Sequence, residues 1–206
     1  ATAAASVPGA ARADEGMWTF DAFPAERMRA AHGWAPDQAW LNRVQSSAVR
    51  LSSGCSASFV SSQGLVLTNW HCVSDCIAEL SSAQANLSQT GFIARTAADE
   101  KTCPGVEGEV LTSISDVTER VRGVIAAVPA AEASRATARV AAEIEAEACK
   151  DLDPEKFQCS VVPLFRGGQY KVYTYRQYKD MRLVFAPETA VGFFGGDPDN
   201  FNFPRY

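Results

Sequence analysis

The stretch GCSASFVSSQGLVLTNWHC, residues 54–72, decides how the rest of this sequence is interpreted. It contains two short apolar runs, 56–60 and 65–68, joined by the turn-forming residues Ser-Ser-Gln-Gly. Short apolar runs bounded by such residues are typical of a β-hairpin. The stretch ends in a histidine and a cysteine, so the second predicted strand leads directly to two side chains that can carry chemistry or a cross-link.

His71 is the candidate catalytic residue, and the cysteine beside it indicates how it is held. Cys55 lies on the other side of the predicted hairpin from Cys72. A disulfide between these two would close the hairpin behind His71 and fix the backbone of the imidazole, contributing about 3 kcal/mol for a loop of this length. The other interpretation is a core histidine capped by a neighbouring backbone group.

Further strand-like and helix-like segments surround the hairpin on both sides. The predicted strands outside it are 106–115, 159–165, 170–175 and 182–186. The predicted helices are 24–32, 36–47, and two between 117 and 150 that are broken at Pro129, the second from about 130 to 149. The expected fold is therefore mainly β with inserted helices.

Composition excludes two classes of function. The 206 residues carry 19 Lys and Arg against 24 Asp and Glu, a net charge of −5, so no basic surface of the kind that binds a nucleic-acid backbone is indicated. Even the richest apolar region, 126–148, is interrupted by charged side chains, and no stretch reaches the roughly 18 apolar residues that a membrane-spanning helix needs. We expect neither a nucleic-acid partner nor a membrane span.

The first thirteen residues, ATAAASVPGAARA, end in Ala-Arg-Ala, the small-x-small pattern at which a signal peptidase cuts. We interpret residues 1–13 as the remnant of an export signal, followed by one domain segment over 14–206. A merely disordered alanine-rich terminus is the other interpretation, because the basic and apolar parts of a signal are missing from these residues.

The six cysteines indicate the same compartment, because exported chains use an even number of cysteines as cross-links. We therefore expect a periplasmic or secreted protein. Apart from the hairpin pair, the four remaining cysteines allow three pairings, and the alternatives stay open. The pairs that we predict are Cys55–Cys72, Cys76–Cys103 and Cys149–Cys159.

The last segment, VGFFGGDPDNFNFPRY at 191–206, is dense in glycine, proline, aspartate, asparagine and phenylalanine. That composition favours an ordered functional loop over a strand or a helix. A tight turn built from turn-forming residues is the other interpretation of 197–203.

Together these segments resemble a known family. The histidine segment is similar to that of chymotrypsin-like serine peptidases, in which two strands lead to Thr-Ala-Ala-His-Cys. The segments DEGMWTFDAFP, GCSASFVSSQGLVLTNWHC, Gly91-Phe92 and APETAVGFFGGDPDNFNFPR occur in the same order in bacterial exopeptidases of serine peptidase family 46, the dipeptidyl peptidase 7 and 11 type. The similarity extends from Asp14 to the last residue.

The resemblance implies a chymotrypsin-like double β-barrel, of which the first barrel and part of its surroundings are present here. It also implies a serine peptidase that removes dipeptides from the free N-terminus of oligopeptides. By this match His71 is the catalytic base, and Asn200 and Phe201 line the site for the substrate's terminal ammonium, since a carboxamide oxygen and an aromatic face suit that cation. Two positions depart from the family: Trp70 stands where many members carry a second histidine, and Phe201 where they usually carry tryptophan.

The same resemblance places the other two catalytic residues after Tyr206. The orienting aspartate is expected a few residues beyond the Pro-Arg of the last segment, and the nucleophilic serine far downstream. The sequence contains no Gly-x-Ser-x-Gly motif, and Asp197 and Asp199 are weak candidates for the triad aspartate. We expect these residues to be a fragment that does not hydrolyse peptides alone, and a homodimer of the full-length protein is left open.

Two other readings of the same residues compete with a peptidase. One is a non-catalytic, exported, disulfide-stabilised binding domain. The other is a metal tetrad of His71, Cys72, Cys76 and Cys103. Because adjacent residues such as His71 and Cys72 rarely direct both side chains at one ion, we expect neither a metal nor a cofactor.

Overall fold

The structure, a computed structural model, describes residues 16–192. The predicted signal remnant at 1–13 and residues 193–206 of the predicted loop 191–206 lie outside the described residues. Residues 191 and 192 of that loop are helical instead, because they end the short helix Thr189–Gly192. The chain divides into two units, residues 1–41 and 42–206.

Two helices open the described chain, α1 (Ala25–His32) and α2 (Gln38–Ser47), close to the bounds predicted from their prolines. Gly33 ends α1 in the left-handed conformation, with φ of 71°, and its N–H donates to the carbonyl of Arg29. Because glycine adopts positive φ without strain, it is the residue expected at this end. At the start of α2 the carboxylate of Asp37 accepts from the N–H of Trp40 at 2.7 Å.

The remaining helices and the strands belong mainly to the second unit. The helices are α3 (Ser74–Glu79), α4 (Leu87–Thr90), α5 (Thr118–Ala126), α6 (Ala133–Cys149) and α7 (Thr189–Gly192). The strands are β1 (Ala48–Leu51), β2 (Ser56–Phe59), β3 (Val66–Thr68), β4 (Phe92–Ile93), β5 (Lys101–Thr102), β6 (Gly108–Asp116), β7 (Phe157–Leu164), β8 (Gln169–Tyr178), β9 (Arg182–Leu183) and β10 (Phe185–Ala186).

Six of these strands form one antiparallel sheet in the order β3-β2-β1-β6-β8-β7. The predicted hairpin is the β2–β3 pair at one end of this sheet, with Ser58 opposite Leu67. The N–H of Val60 donates to the carbonyl of Leu65 at 2.8 Å and closes the turn. The mainly-β class with inserted helices is therefore confirmed.

A pair of helices covers the long strands at the other end of the sheet. Helices α5 and α6 pack against each other and against β7 and β8. The buried residues of α6, Ala136, Val140 and Ile144, recur every four positions and so lie on one face of the helix. Val140 and Ile144 meet Val121 of α5 and Val172 of β8 in one apolar cluster.

Two small sheets sit beside the histidine segment. Strand β10 pairs with β4, and β9 pairs with β5, each antiparallel. Their buried residues, together with those of α3 and α4, form a second apolar cluster that contains Ile77, Leu87 and Leu183.

The structure corrects one predicted strand and adds another. The run 182–186 is not one strand, because β9 and β10 pair with different partners and belong to different sheets. Strand β1 was not predicted from the sequence, because it follows α2 with no intervening turn residue. No helix in residues 16–192 has the length and apolar character required to cross a membrane.

All six cysteines lie in the described part, and all are paired. Cys55 is bonded to Cys72 with a Cα–Cα distance of 5.9 Å. The other two bonds join α3 to the segment before β6 and the end of α6 to β7. These bonds are Cys76–Cys103 and Cys149–Cys159, the pairing that the sequence favoured.

Candidate functional site

His71 lies on a tight 3₁₀ turn, Trp70–Val73, directly after β3. The N–H of Cys72 donates to the carbonyl of Asn69 at 3.1 Å, which closes the turn. The carbonyl of His71 accepts two hydrogen bonds from Ser74, one from its hydroxyl at 2.9 Å and one from its backbone N–H. The backbone of His71 is thereby held on both sides, while its side chain is half-buried. A half-buried imidazole can exchange a proton with a substrate, which a fully enclosed one cannot do.

The Cys55–Cys72 disulfide lies against the imidazole of His71. A ring nitrogen of His71 and both sulfur atoms lie within 4.8 Å of one another. The cross-link therefore supports the side chain as well as the backbone.

The same bonds contradict the alternative interpretation of a metal tetrad, which the sequence did not favour. A cysteine binds a metal as its thiolate, and each cysteine of that tetrad is consumed in a disulfide. The alternative metal site at His71, Cys72, Cys76 and Cys103 is therefore wrong for this oxidised chain.

Helix α3 follows the turn directly and fixes its position by a disulfide and by apolar packing. Cys76 is 2% exposed and is bonded to Cys103, and Ile77 is 0% exposed. Both side chains belong to the apolar cluster beneath the small sheets. The position of the histidine turn is therefore set by covalent bonds at two places and by packing between them.

An open groove of about 400 Å³ runs beside this turn. One wall is the hairpin end and the turn, within residues 60–73, and the other wall is the segment 182–187. Its rim carries apolar side chains that are half or more exposed, including Val60, Leu67 and Phe185 at 53%, 65% and 63%. The turn that carries His71 therefore borders, through Asn69, Trp70 and Val73, a surface that can receive an apolar segment of peptide.

Arg182 is the cation that lines the groove, and carboxylates neutralise it. Its guanidinium donates to both carboxylate oxygens of Asp180, with the shortest contact at 2.6 Å. Glu100 lies 3.8 Å away on the other side. The hydrogen bond from Arg182 lowers the pKa of Asp180, so this pair stays ionised and its charges cancel.

Trp70 has a contact that its place in the motif does not reveal. Its indole Nε1–H donates to the carbonyl of Pro187 at 3.1 Å. The partner lies far along the chain, so no local signal in the sequence indicates the bond. The sequence identified Trp70 only as a position where many members of the resembling family carry a second histidine.

The structure brings His71, Trp70 and the disulfide together, but it does not test the predicted substrate loop. Asn200 and Phe201, with the weak triad candidates Asp197 and Asp199, lie outside the described residues. The described part ends with α7, at Gly192, just before that loop in the sequence.

Comparison with known proteins gives one consistent family. The model of the Peptidase S46 family matches residues 13–206. Dipeptidyl-peptidase 7 of Porphyromonas gingivalis is 34% identical over 206 residues, which cover 96% of this chain and 28% of the relative. The Asp/Glu-specific dipeptidyl-peptidase of Porphyromonas endodontalis is 30% identical over 210 residues, which cover 95% of this chain and 29% of the relative.

Solved structures agree with these relatives. The crystal structure of Porphyromonas endodontalis DPP11 in complex with substrate has a TM-score of 0.77 and 29% identity, and the match covers 94% of this chain and 30% of that one. The complex of the same protein with the dipeptide Arg-Glu has a TM-score of 0.75 and the same identity, covering 94% of this chain and 29% of that one. This chain thus spans less than a third of the length of these relatives. Because relatives named for different specificities match about equally well, the likeness identifies the family rather than the preferred substrate side chain.

Proposed function

This chain belongs to the peptidase S46 family, and from that membership we propose that the protein is a serine exopeptidase that releases dipeptides from the free N-terminus of oligopeptides. The relatives named above are dipeptidyl peptidases, and one of them has been crystallised with a dipeptide. The oligopeptide substrate is the partner that this proposal requires.

In this mechanism His71 is the general base. It takes the proton of the serine hydroxyl as that oxygen attacks the scissile carbonyl, and later returns it to the leaving amine. The rate of such a transfer depends on the position of the imidazole. The Cys55–Cys72 bond and the two hydrogen bonds to the His71 carbonyl supply that position.

The exopeptidase character depends on the segment after α7. We assign Asn200 the role of accepting a hydrogen bond from the terminal ammonium of the substrate, with Phe201 as an aromatic wall. A charge-assisted bond of this kind distinguishes a free N-terminus from a blocked one.

The observation that carries the proposal is the setting of His71. The histidine that the family motif singles out is half-buried and lies next to a disulfide-bonded cysteine, and its neighbours Asn69, Trp70 and Val73 line an open groove. A structural core histidine has no need of the open groove, whereas a proton-transferring one needs access to its substrate.

The test compares two substrates of the full-length protein, one a dipeptidyl substrate with a free amine and the other its N-acetylated analogue. The free-amine substrate should be cleaved and the acetylated one poorly. Asn200→Ala should lower kcat/KM for the free-amine substrate roughly 100-fold and change the acetylated one little. Asn42→Ala, at an exposed position of α2, is the matched carboxamide control and should leave both unchanged.

Two results would overturn parts of this proposal. Equal losses on the two substrates would remove the ammonium-binding role of Asn200 and leave the peptidase. A full-length protein that binds peptides and releases no dipeptide would instead identify a non-catalytic exported binding domain.

We also propose that the protein works in an oxidising compartment, the periplasm or the exterior of the cell. Six paired cysteines support this, because thiols of cytosolic proteins are kept reduced. Cell fractionation followed by mass spectrometry without reductant should find the protein outside the cytoplasm with no free thiol. A cytoplasmic protein with free thiols would contradict the proposal.

A further inference from the structure

The segment 186–192 forms part of the groove wall and leads in the sequence to Asn200 and Phe201. It contains the end of β10 and all of α7. Two features of the described structure hold it in place.

Trp70 holds the segment on the side of the histidine turn. Its indole Nε1–H donates to the carbonyl of Pro187 at 3.1 Å, as described above. Its ring also lies against Gly192, where an added Cβ would come within 2.6 Å of the ring carbon Cγ. Gly192 has an ordinary helical backbone, so the space taken by the indole, and not the backbone conformation, is what requires glycine here.

Gly91 also allows the segment to approach closely. A Cβ at this position would lie 3.0 Å from the carbonyl oxygen of Ala186 and 3.1 Å from the backbone nitrogen of Glu188. Its φ is 69°, a conformation that favours glycine. Gly91 and the indole of Trp70 therefore both contact the segment closely.

We propose that Trp70 is a positioning residue that fixes the substrate's N-terminus relative to the catalytic base. Trp70 directly precedes His71 in the chain. The segment that packs against the Trp70 ring continues in the sequence to Asn200. The indole therefore joins the backbone that carries the base to the backbone that leads to the ammonium site. An exopeptidase that releases dipeptides needs this distance to be constant, since a displacement of about 1 Å can cost up to 100-fold in rate. This inference rests on the function proposed above.

The first test uses Gly192→Ala in the full-length protein. The added methyl must displace either the indole or α7, so kcat/KM for the free-amine dipeptidyl substrate should fall about tenfold. Gly123→Ala is the matched control, because Gly123 is also helical and nothing lies within 4 Å of the added Cβ. That control should keep full activity.

A double variant shows whether the indole is the cause. Trp70→Ala removes the ring that Gly192→Ala would strike, so the second substitution should cost little in that background. Equal losses from Gly192→Ala with and without the indole would overturn the proposed contact.

A second measurement separates positioning from general damage to the histidine turn. Trp70→Phe keeps a ring against Gly192 and removes the hydrogen bond to Pro187. It should raise KM for the free-amine substrate severalfold to about tenfold, while the rate of reaction with phenylmethylsulfonyl fluoride, which needs the His71-activated serine and carries no ammonium, stays within about twofold. Trp34→Phe, at a side chain 56% exposed, is the control.

The outcomes distinguish this inference from the function on which it rests. A wild-type protein that neither cleaves the dipeptidyl substrate nor reacts with the sulfonyl fluoride contradicts the proposed function. An active wild type whose Trp70→Phe variant loses both reactions equally, or neither, contradicts the positioning role alone.

Discussion

Two regions of the second unit are built on different principles. The histidine region, residues 48–103, contains strands of two to four residues and two disulfides. The long-strand region, residues 108–178, contains strands of eight to ten residues, a helix of 17 residues, and one disulfide. The region that carries the candidate chemistry is the one held by cross-links.

The difference has a physical cause. Strands of three or four residues make few ladder hydrogen bonds and bury little side-chain area, so they hold together weakly without further support. The hairpin leaves Leu65 and Leu67 47% and 65% exposed, which opens the groove at the cost of apolar burial. A site that must stay open to a peptide therefore depends on disulfides for the rigidity that the long strands obtain from packing.

The largest effect should come from the imidazole itself. In the full-length protein, His71→Ala should lower kcat by roughly 10⁴-fold or more, because the base acts only as the serine oxygen attacks. Steady-state kinetics measure this change, and the melting temperature should stay close to that of the wild type. His32→Ala, at the end of α1, is the matched control. An unchanged kcat for His71→Ala would show that the histidine region has no catalytic role.

Removing one disulfide from each region tests whether cross-links serve different purposes there. The bonds close loops of 17 and 10 residues, so losing either should lower the free energy of unfolding by about 3 kcal/mol. Replacing Cys55 and Cys72 by alanine should also lower kcat, because His71 loses its support. Replacing Cys149 and Cys159 should leave kcat unchanged. Urea titration and steady-state kinetics on the same samples give both quantities.

A fall in kcat of the same size for both disulfide variants would contradict the proposed difference between the two regions. It would show that activity follows overall stability and not the local support of the imidazole.

Sequence patterns predicted the two regions unequally. The long strands and α6 are long runs of strand-forming or helix-forming residues, bounded by turn residues and proline. Their existence could therefore be predicted from residues 106–175 alone. Strand β1 and the division of 182–186 into β9 and β10 could not be predicted in this way. The pairing partners of such short strands are decided by contacts with residues far along the chain. The turn that carries His71 and the Cys55–Cys72 bond beside it were predicted from one local motif. The groove and the hydrogen bond from Trp70 to Pro187 could not be predicted, since each is formed by two segments that are distant in the sequence.

Matched isoleucines measure how rigid each region is. Ile77 in α3 and Ile144 in α6 are 0% and 3% exposed. Ile→Val at either position should lower the free energy of unfolding by about 1 kcal/mol, because the lost methyl group leaves a cavity that a rigid core cannot fill. Urea titration of the two variants gives the values. A much smaller cost at Ile77 would show that the histidine region collapses freely despite its disulfides.

The smallest effects should come from two exposed carboxylates, one in each region. Asp99 accepts from the N–H and the hydroxyl of Thr96, both at 2.9 Å, and these bonds lower its pKa. Asp116 accepts from Thr118 and from the side-chain amide of Gln169, each at 2.8 Å, and its pKa is lowered chiefly by its hydrogen bonds to Thr118. Both carboxylates are stabilised as anions by short-range hydrogen bonds at the surface.

Because a lowered pKa means that the folded state favours the anion, each carboxylate stabilises the fold above about pH 4 and loses this effect as the pH falls through its lowered value. Asp99→Asn and Asp116→Asn should therefore lower the melting temperature slightly at pH 7, and the gap to the wild type should close on acidification. The two gaps should be alike, since an exposed carboxylate depends on its immediate donors and not on whether cross-links or long strands lie beneath it. Differential scanning calorimetry from pH 7 down to pH 3 measures both. A gap that widens on acidification would reverse the sign of this argument, and a clearly larger gap at Asp99 would extend the contrast between the two regions to their surfaces.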